Sequence, residues 1–199
     1  MTPFDYSATG HQRKHGPRGY ADYERLRPWL RDEFAFRCVY CLLREQWVIR
    51  AGGFAVEHFL PISRSPDTST DYDNLLYACT ACNLAKAAKV VPDPTQALIA
   101  PAVVIHDDGR LEALTSPAQE IVSSLGLNDP RYVQFRRRWI RIVRLARGHD
   151  PALLRDLMGY PSDLPDLARL RPPGGNSRPE GIAQSHHARR ERGELAETY

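Results

Sequence analysis

An α+β fold is what this sequence predicts, and three observations carry it. All four cysteines of the 199-residue chain fall in two C-x-x-C pairs, Cys38–Cys41 (CVYC) and Cys79–Cys82 (CTAC). Between the pairs, two short β-prone runs flank Gly52-Gly53, the pattern of a hairpin. Helical periodicity lies outside them, before the first pair and after the second. With 42% hydrophobic and 26% charged residues, the chain has the composition of one packed domain with appendages.

In chain order, residues 1–19 are polar, glycine-containing and aperiodic, and read as an irregular N-terminal arm that is basic over His11–Arg18 (HQRKHGPR). Tyr20–Arg37 is helical in pattern, with Pro28 suited to the start of a second piece, where its missing N–H costs little, and with Trp29, Leu30 and Phe34 facing inward. Gln46–Arg50 (QWVIR), the turn Ala51-Gly52-Gly53 and Phe54–Phe59 (FAVEHF) make the predicted hairpin, which ends on Glu57-His58. Residues 61–73 are loop by composition, and Asn74–Lys89 turns helical, at least after the cysteine pair.

Residues 20–92 thus form a core unit, and 93–171 form a mixed hairpin and helical extension. In the extension, Val103–His106 and Arg110–Leu114 pair about the Asp108-Gly109 turn. A helix starts at Asp129-Pro130 and runs to about Arg147, and a short one covers Pro151–Met158. On the long helix Tyr132, Phe135, Trp139, Ile142, Val143 and Ala146 share one stripe, with Arg137, Arg141 and Arg144 opposite. The Pro, Gly, Ser and charge content from Pro172 onward predicts a disordered tail over 172–199.

Two residues between cysteines let both thiolates face one ion, and a second such pair completes a tetrahedral four-cysteine shell for structural Zn2+. A redox pair or disulfides are the alternatives. Two pairs without a βαβ pattern around either, and no secretory signal ahead of them, favour metal. Four thiolates leave zinc no open position for water, so any chemistry lies elsewhere.

Between the pairs stands Glu57-His58-Phe59-Leu60-Pro61 (EHFLP), then Asn74-Leu75, and the last cysteine opens CNLAK, Cys82–Lys86. In this order and spacing the residues resemble the HNH nuclease family, whose zinc-bearing members read C-x-x-C, D-H-x-x-P, N-L and C-x-x-C-[HN]-x-x-K. The resemblance covers Phe34 to Lys89. It implies a ββα-metal nuclease core flanked by helices, with His58 as general base. Glu57 and Asn83 match ligands of a catalytic Mg2+ or Mn2+, Asn74 matches the residue that fixes the histidine loop, and Lys86 matches a lysine in reach of phosphate. Glu57 departs from the usual Asp or His by one more methylene, and Asn83 stands where histidine names the motif.

These residue types suit hydrolysis of a phosphodiester, which needs a positioned water, a base that titrates near neutral pH and a cation at the leaving oxygen. Oxygen ligands favour Mg2+ or Mn2+. Taken singly, these residue types more often play structural roles, His58 as a hydrogen-bonded core histidine, Glu57 as a surface carboxylate, and Asn74 and Asn83 as helix caps. That alternative makes the chain a zinc-organised module that binds nucleic acid or protein without catalysis.

The formal charge is only +3, but Pro130–His149 holds seven arginines and no carboxylate. Arg137, Arg141 and Arg144, with the His11–Arg18 arm, are the candidates for contacts to DNA phosphates, or else a solvated face. NLLYACTACNLAK and SLGLNDPRYVQFRRRWI also resemble, more distantly, stand-alone bacterial HNH proteins of anti-phage systems, which implies an ATPase or other defence protein as a regulating partner. No apolar run is long enough to cross a bilayer, and a cytoplasmic location is expected.

Overall fold

The computed structural model describes residues 2–48 and 53–199. A 3-10 turn, Tyr23–Leu26, leads into α1 (Arg27–Glu33). Pro28 occupies the first turn of α1 as expected, and Trp29 and Leu30 are fully buried. The helix ends on Ala35 and Phe36 in the left-handed region (φ 49° and 57°), which turn the chain into the first cysteine pair.

Strand β1 (Phe54–His58) pairs antiparallel with β2 (Leu75–Cys79), in the register Phe54↔Cys79 to His58↔Leu75. The expected partner, Gln46–Arg50, does not fill that place. Glu45–Trp47 is a 3-10 turn whose Trp47 stacks on Trp139 at 4.1 Å and donates its indole N–H to the Leu157 carbonyl at 2.7 Å. Residues 49–52 of the expected hairpin lie outside the described residues. Every residue of β2 is buried, so no polar alternation marks it as a strand, and periodicity does not tell such an apolar run from a buried helix segment. The helix α2 (Thr80–Lys86) begins only at Cys79, its N-cap.

After the short α3 (Pro94–Ala97), β3 (Val103–Ile105) and β4 (Leu111–Ala113) form the predicted second hairpin. Its turn residue Gly109 has φ 87°, and a Cβ there would collide with the Val133 carbonyl. Helices α4 (Ser116–Ser124), α5 (Pro130–His149) and α6 (Pro151–Met158) follow, of which α4 has no counterpart among the expected elements. The inward stripe of α5 is Arg136, Ile140, Val143 and Ala146, whereas Ile142 is 41% exposed. Arg136 turns inward onto main-chain carbonyls, donating to Gly109 at 2.7 Å and Leu127 at 2.8 Å.

The arm and tail are packed, in contrast to expectation. Residues 172–199 include α7 (Glu180–Ala183) and α8 (His186–Glu191). They hold to the arm through polar pairing rather than apolar burial, which is why composition does not reveal it. The amide of Arg18 donates to Gly175, that of Gly174 to Arg18 and that of Ser177 to Gly16, each at 2.9 Å. Both segments then dock on the end of α1. The buried Asp32 carboxylate lies 2.8 Å from His15 Nε2 and 2.9 Å from His186 Nδ1. The neighbouring Glu33 accepts from the Lys14 and His15 amides at 2.8 and 3.0 Å and from the Tyr72 hydroxyl at 3.0 Å, and its Oε1 lies 2.7 Å from His11 Nε2.

Burial opposes ionisation of Asp32, but the hydrogen bonds from His15 and His186 outweigh it and hold the carboxyl well below its ordinary value. The folded state therefore binds fewer protons than the unfolded chain between the two values. Stability from Asp32 is complete above its ordinary value of 3.8 and is lost as pH falls toward the folded one. Asp32→Asn is expected to cost about 1.5–3 kcal/mol at neutral pH and to flatten the acid limb of a urea-denaturation series. An unchanged acid limb would remove Asp32 as its source.

Candidate functional site

The two cysteine pairs meet at one point. In the first, Cys38 N donates to Leu43 O at 2.9 Å and Leu42 N to Cys38 O at 3.0 Å, while Val39 N donates to Tyr77 O at 2.9 Å and ties the knuckle to β2. In the second, Cys79 accepts the Cys82 amide on its sulfur at 3.5 Å. The four buried sulfurs all lie within 4.8 Å of one another, and Cys41 and Cys79 are 3.7 Å apart. A zinc tetrahedron with bonds of about 2.3 Å has edges of about 3.8 Å.

Charge points the same way. Hydrogen bonds with Cys38 and Cys79, together with burial, push the Cys41 thiol up, and Cys82 is pushed up by the same kind of contacts. Cys79, which the other three thiols can hydrogen-bond, is pushed down. Thiolates crowded together in a buried pocket repel one another until a dication neutralises them. The donor set fits structural zinc.

At the far end of β1, successive residues point to opposite faces, and the contacts follow that rule. Glu57 is 2% exposed, with Oε1 2.6 Å from Lys86 Nζ on α2 and Oε2 accepting from the Tyr40 hydroxyl at 2.9 Å. Burial raises its carboxyl, and the contacts with Lys86 and Tyr40 offset this only in part. His58 turns the other way. Its ring packs edge-on against Tyr23 at 4.7 Å, and Nε2 lies 2.9 Å from the Ser69 carbonyl oxygen.

Asn74 sits at the neck of the loop between the strands. Its main-chain oxygen accepts the Phe59 amide at 2.9 Å, and its side-chain oxygen accepts the Leu60 amide at 2.8 Å. Its amide nitrogen donates to Leu60 O at 3.2 Å and to Thr68 Oγ1 at 3.0 Å. One side chain thereby fastens both ends of the loop that delivers Ser69 to His58.

Lys86, expected within reach of phosphate, is instead fully buried and also donates to the His58 carbonyl at 2.7 Å. A long cation is placed there because Glu57 is sealed in the same interface and needs a counter-ion. Asn83 is half-buried one turn earlier on α2. Mg2+ keeps several waters and needs ligands that solvent reaches. With both its oxygens engaged and its carboxylate buried, Glu57 together with Asn83 does not fit a hydrated divalent cation in this arrangement.

Arg137, Arg141 and Arg144 are exposed on α5, with Arg144 2.6 Å from Asp107. The arm's Arg13 is not a solvated charge: its Nη2 donates to Leu75 O at 2.5 Å and to Asp73 O at 3.3 Å. Sequence reasoning also missed Tyr40, Tyr23 and Ser69. Tyr40 lies inside the CVYC knuckle, but the Ser69 contribution is a main-chain carbonyl and carries no residue signal.

No helix among the described residues is long and apolar enough to cross a membrane. No curated protein and no solved structure gives a significant match to the chain. A family model does match: residues 38–89 fit that of the HNH endonuclease. The matched span opens on the first zinc cysteine and closes just beyond α2, enclosing β1, the loop pinned by Asn74, and β2. Residues 38–89 are thus similar to the HNH endonuclease family, and the four cysteines within them form a buried cluster that could hold a metal ion.

Proposed function

We propose that the protein is an endonuclease that hydrolyses DNA phosphodiester bonds with His58 as the general base. The observation that carries this reading is the 2.9 Å contact of His58 Nε2 with the Ser69 carbonyl. A carbonyl only accepts, so in the neutral ring Nε2 holds the proton and Nδ1 keeps a lone pair for a water proton. Oxygen of that water attacks phosphorus, its proton passes to Nδ1, and the bond to the 3′ oxygen breaks, that oxygen leaving with the electron pair and taking a proton from solvent water.

HNH nucleases use divalent metals, which supply charge neutralisation at phosphate when bound. In the present chain Glu57 serves as counter-ion to Lys86. The exposed arginines of α5 give the electrostatic means to hold a phosphate backbone without reading sequence. Regulation by an ATPase or another defence protein rests on the more distant resemblance alone.

The engagement of Glu57 favours a second reading, a zinc-organised nucleic-acid-binding module without catalysis. Incubation of the full chain with supercoiled plasmid separates the two. Nicking by the wild-type chain with Mg2+ or Mn2+ present is the expected result. Gel retardation without nicking under either metal would replace the nuclease reading with the binding one.

A further inference from the structure

The candidate catalytic loop is held by Asn74, and Asn74 in turn is held from outside the HNH segment. Arg13 Nη2 spans the main-chain carbonyls on either side of it, Asp73 O at 3.3 Å and Leu75 O at 2.5 Å. The guanidinium is itself fixed between two aromatic faces, 5.1 Å from the Phe34 centroid and 5.2 Å from that of Tyr72. From the C-terminal side, Arg178 forms a two-pronged contact with the Asp73 carboxylate, both bonds at 3.0 Å, and donates to the His15 carbonyl at 2.8 Å. The pairing of residues 16–18 with 174–177 sets the two arginines in place.

We infer that Arg13, backed by Arg178, is a positioning residue of the nuclease site, acting on His58 through Asn74 and the loop that ends at Ser69. The inference rests on the nuclease reading for its consequence in catalysis, and on geometry alone for the coupling. The path is continuous: Arg13 holds the carbonyls flanking Asn74, Asn74 holds Leu60 and Thr68, and the Ser69 carbonyl beside Thr68 orients the imidazole. A general base works only when its lone pair is aimed at the water, so small displacements of the loop reach the rate directly. Neither arginine needs to touch DNA for this, so substrate affinity is not the quantity they control. The two differ in weight. Arg13 bonds carbonyls next to the sheet, whereas Arg178 pairs with the exposed Asp73 carboxylate, where solvent screens the contact.

The test uses the full chain as wild type, Arg13→Ala, Arg13→Lys and Arg178→Ala, each first shown to keep its zinc. Arg13→Ala is expected to lower kcat on plasmid by about 10- to 100-fold with KM nearly unchanged, Arg13→Lys to restore part of the loss, and Arg178→Ala to lower kcat by no more than about fivefold. Hydrogen exchange gives a second readout that is independent of cutting. The Phe59 and Leu60 amides, which are bonded to Asn74, should exchange faster in Arg13→Ala while those of α5 keep their protection. Unchanged exchange at Phe59 and Leu60, or a loss of rate matched by an equal loss of protection across the whole chain, overturns the inference. If wild type cuts nothing yet the exchange responds as expected, the nuclease reading fails and the coupling stands.

Discussion

His58→Ala is expected to slow plasmid nicking by about 10²–10⁴-fold, the range that a positioned general base contributes. The loss should fall on kcat, because the imidazole takes a proton from water and does not grip the DNA. The ring is half-buried at the end of β1, with Tyr23 and the Ser69 carbonyl as its neighbours, so its removal leaves the zinc cluster and the core packing in place. Melting temperature and zinc content should therefore stay close to wild type while the rate collapses. Equal nicking by the two proteins at matched concentration would rule out His58 as the base, whatever else the domain does.

Cys38→Ser should be more damaging still, and to the fold rather than the rate. Structural Zn2+ brings on the order of 10 kcal/mol of binding energy that is also folding energy, while a domain of ordinary size has about 5–15 kcal/mol in total. Cys38 is fully buried at the junction of the two knuckles, where a serine hydroxyl is a poor zinc ligand. The variant should lose stoichiometric zinc on dialysis and the cooperative unfolding transition with it. Glu57→Ala is the contrast: it should retain zinc, since Glu57 contacts Lys86 and Tyr40 and none of the four sulfurs. Zinc retained in Cys38→Ser, or lost in Glu57→Ala, would show that the metal site has been drawn wrongly.

What was legible from sequence follows from how local each signal is. The C-x-x-C pairs place ligands three positions apart, so their spacing alone announced the cluster that the fold assembles. The α+β class and the second hairpin were readable for the same reason, since their signals sit within a few residues. Strand β2 was not: buried on both faces, Leu75–Cys79 shows neither alternation nor polar interruption. Arg136 defeated the helical wheel because its partners, the carbonyls of Gly109 and Leu127, come from a turn and a loop. The inward turn of Lys86 depends on Glu57 being sealed behind it, a pairing across elements that the CNLAK motif does not state. The ordered tail was hidden because its attachments are main-chain pairing and buried histidine–carboxylate contacts, for which composition has no mark.

The joining of arm and tail has a consequence in the order of synthesis. Gly16 and Asn176, bonded at 2.9 Å, are 160 positions apart, and Arg178 reaches back 105 positions to Asp73. A chain emerging from the ribosome at about 5–20 residues per second exposes its complete HNH segment several seconds before the segment that clamps it has been made. Over that interval the zinc unit can fold while the loop carrying Ser69 still lacks the backing of Arg178. On the nuclease reading proposed above, the backing that Arg178 adds to the aim of His58 arrives only as the last helices dock.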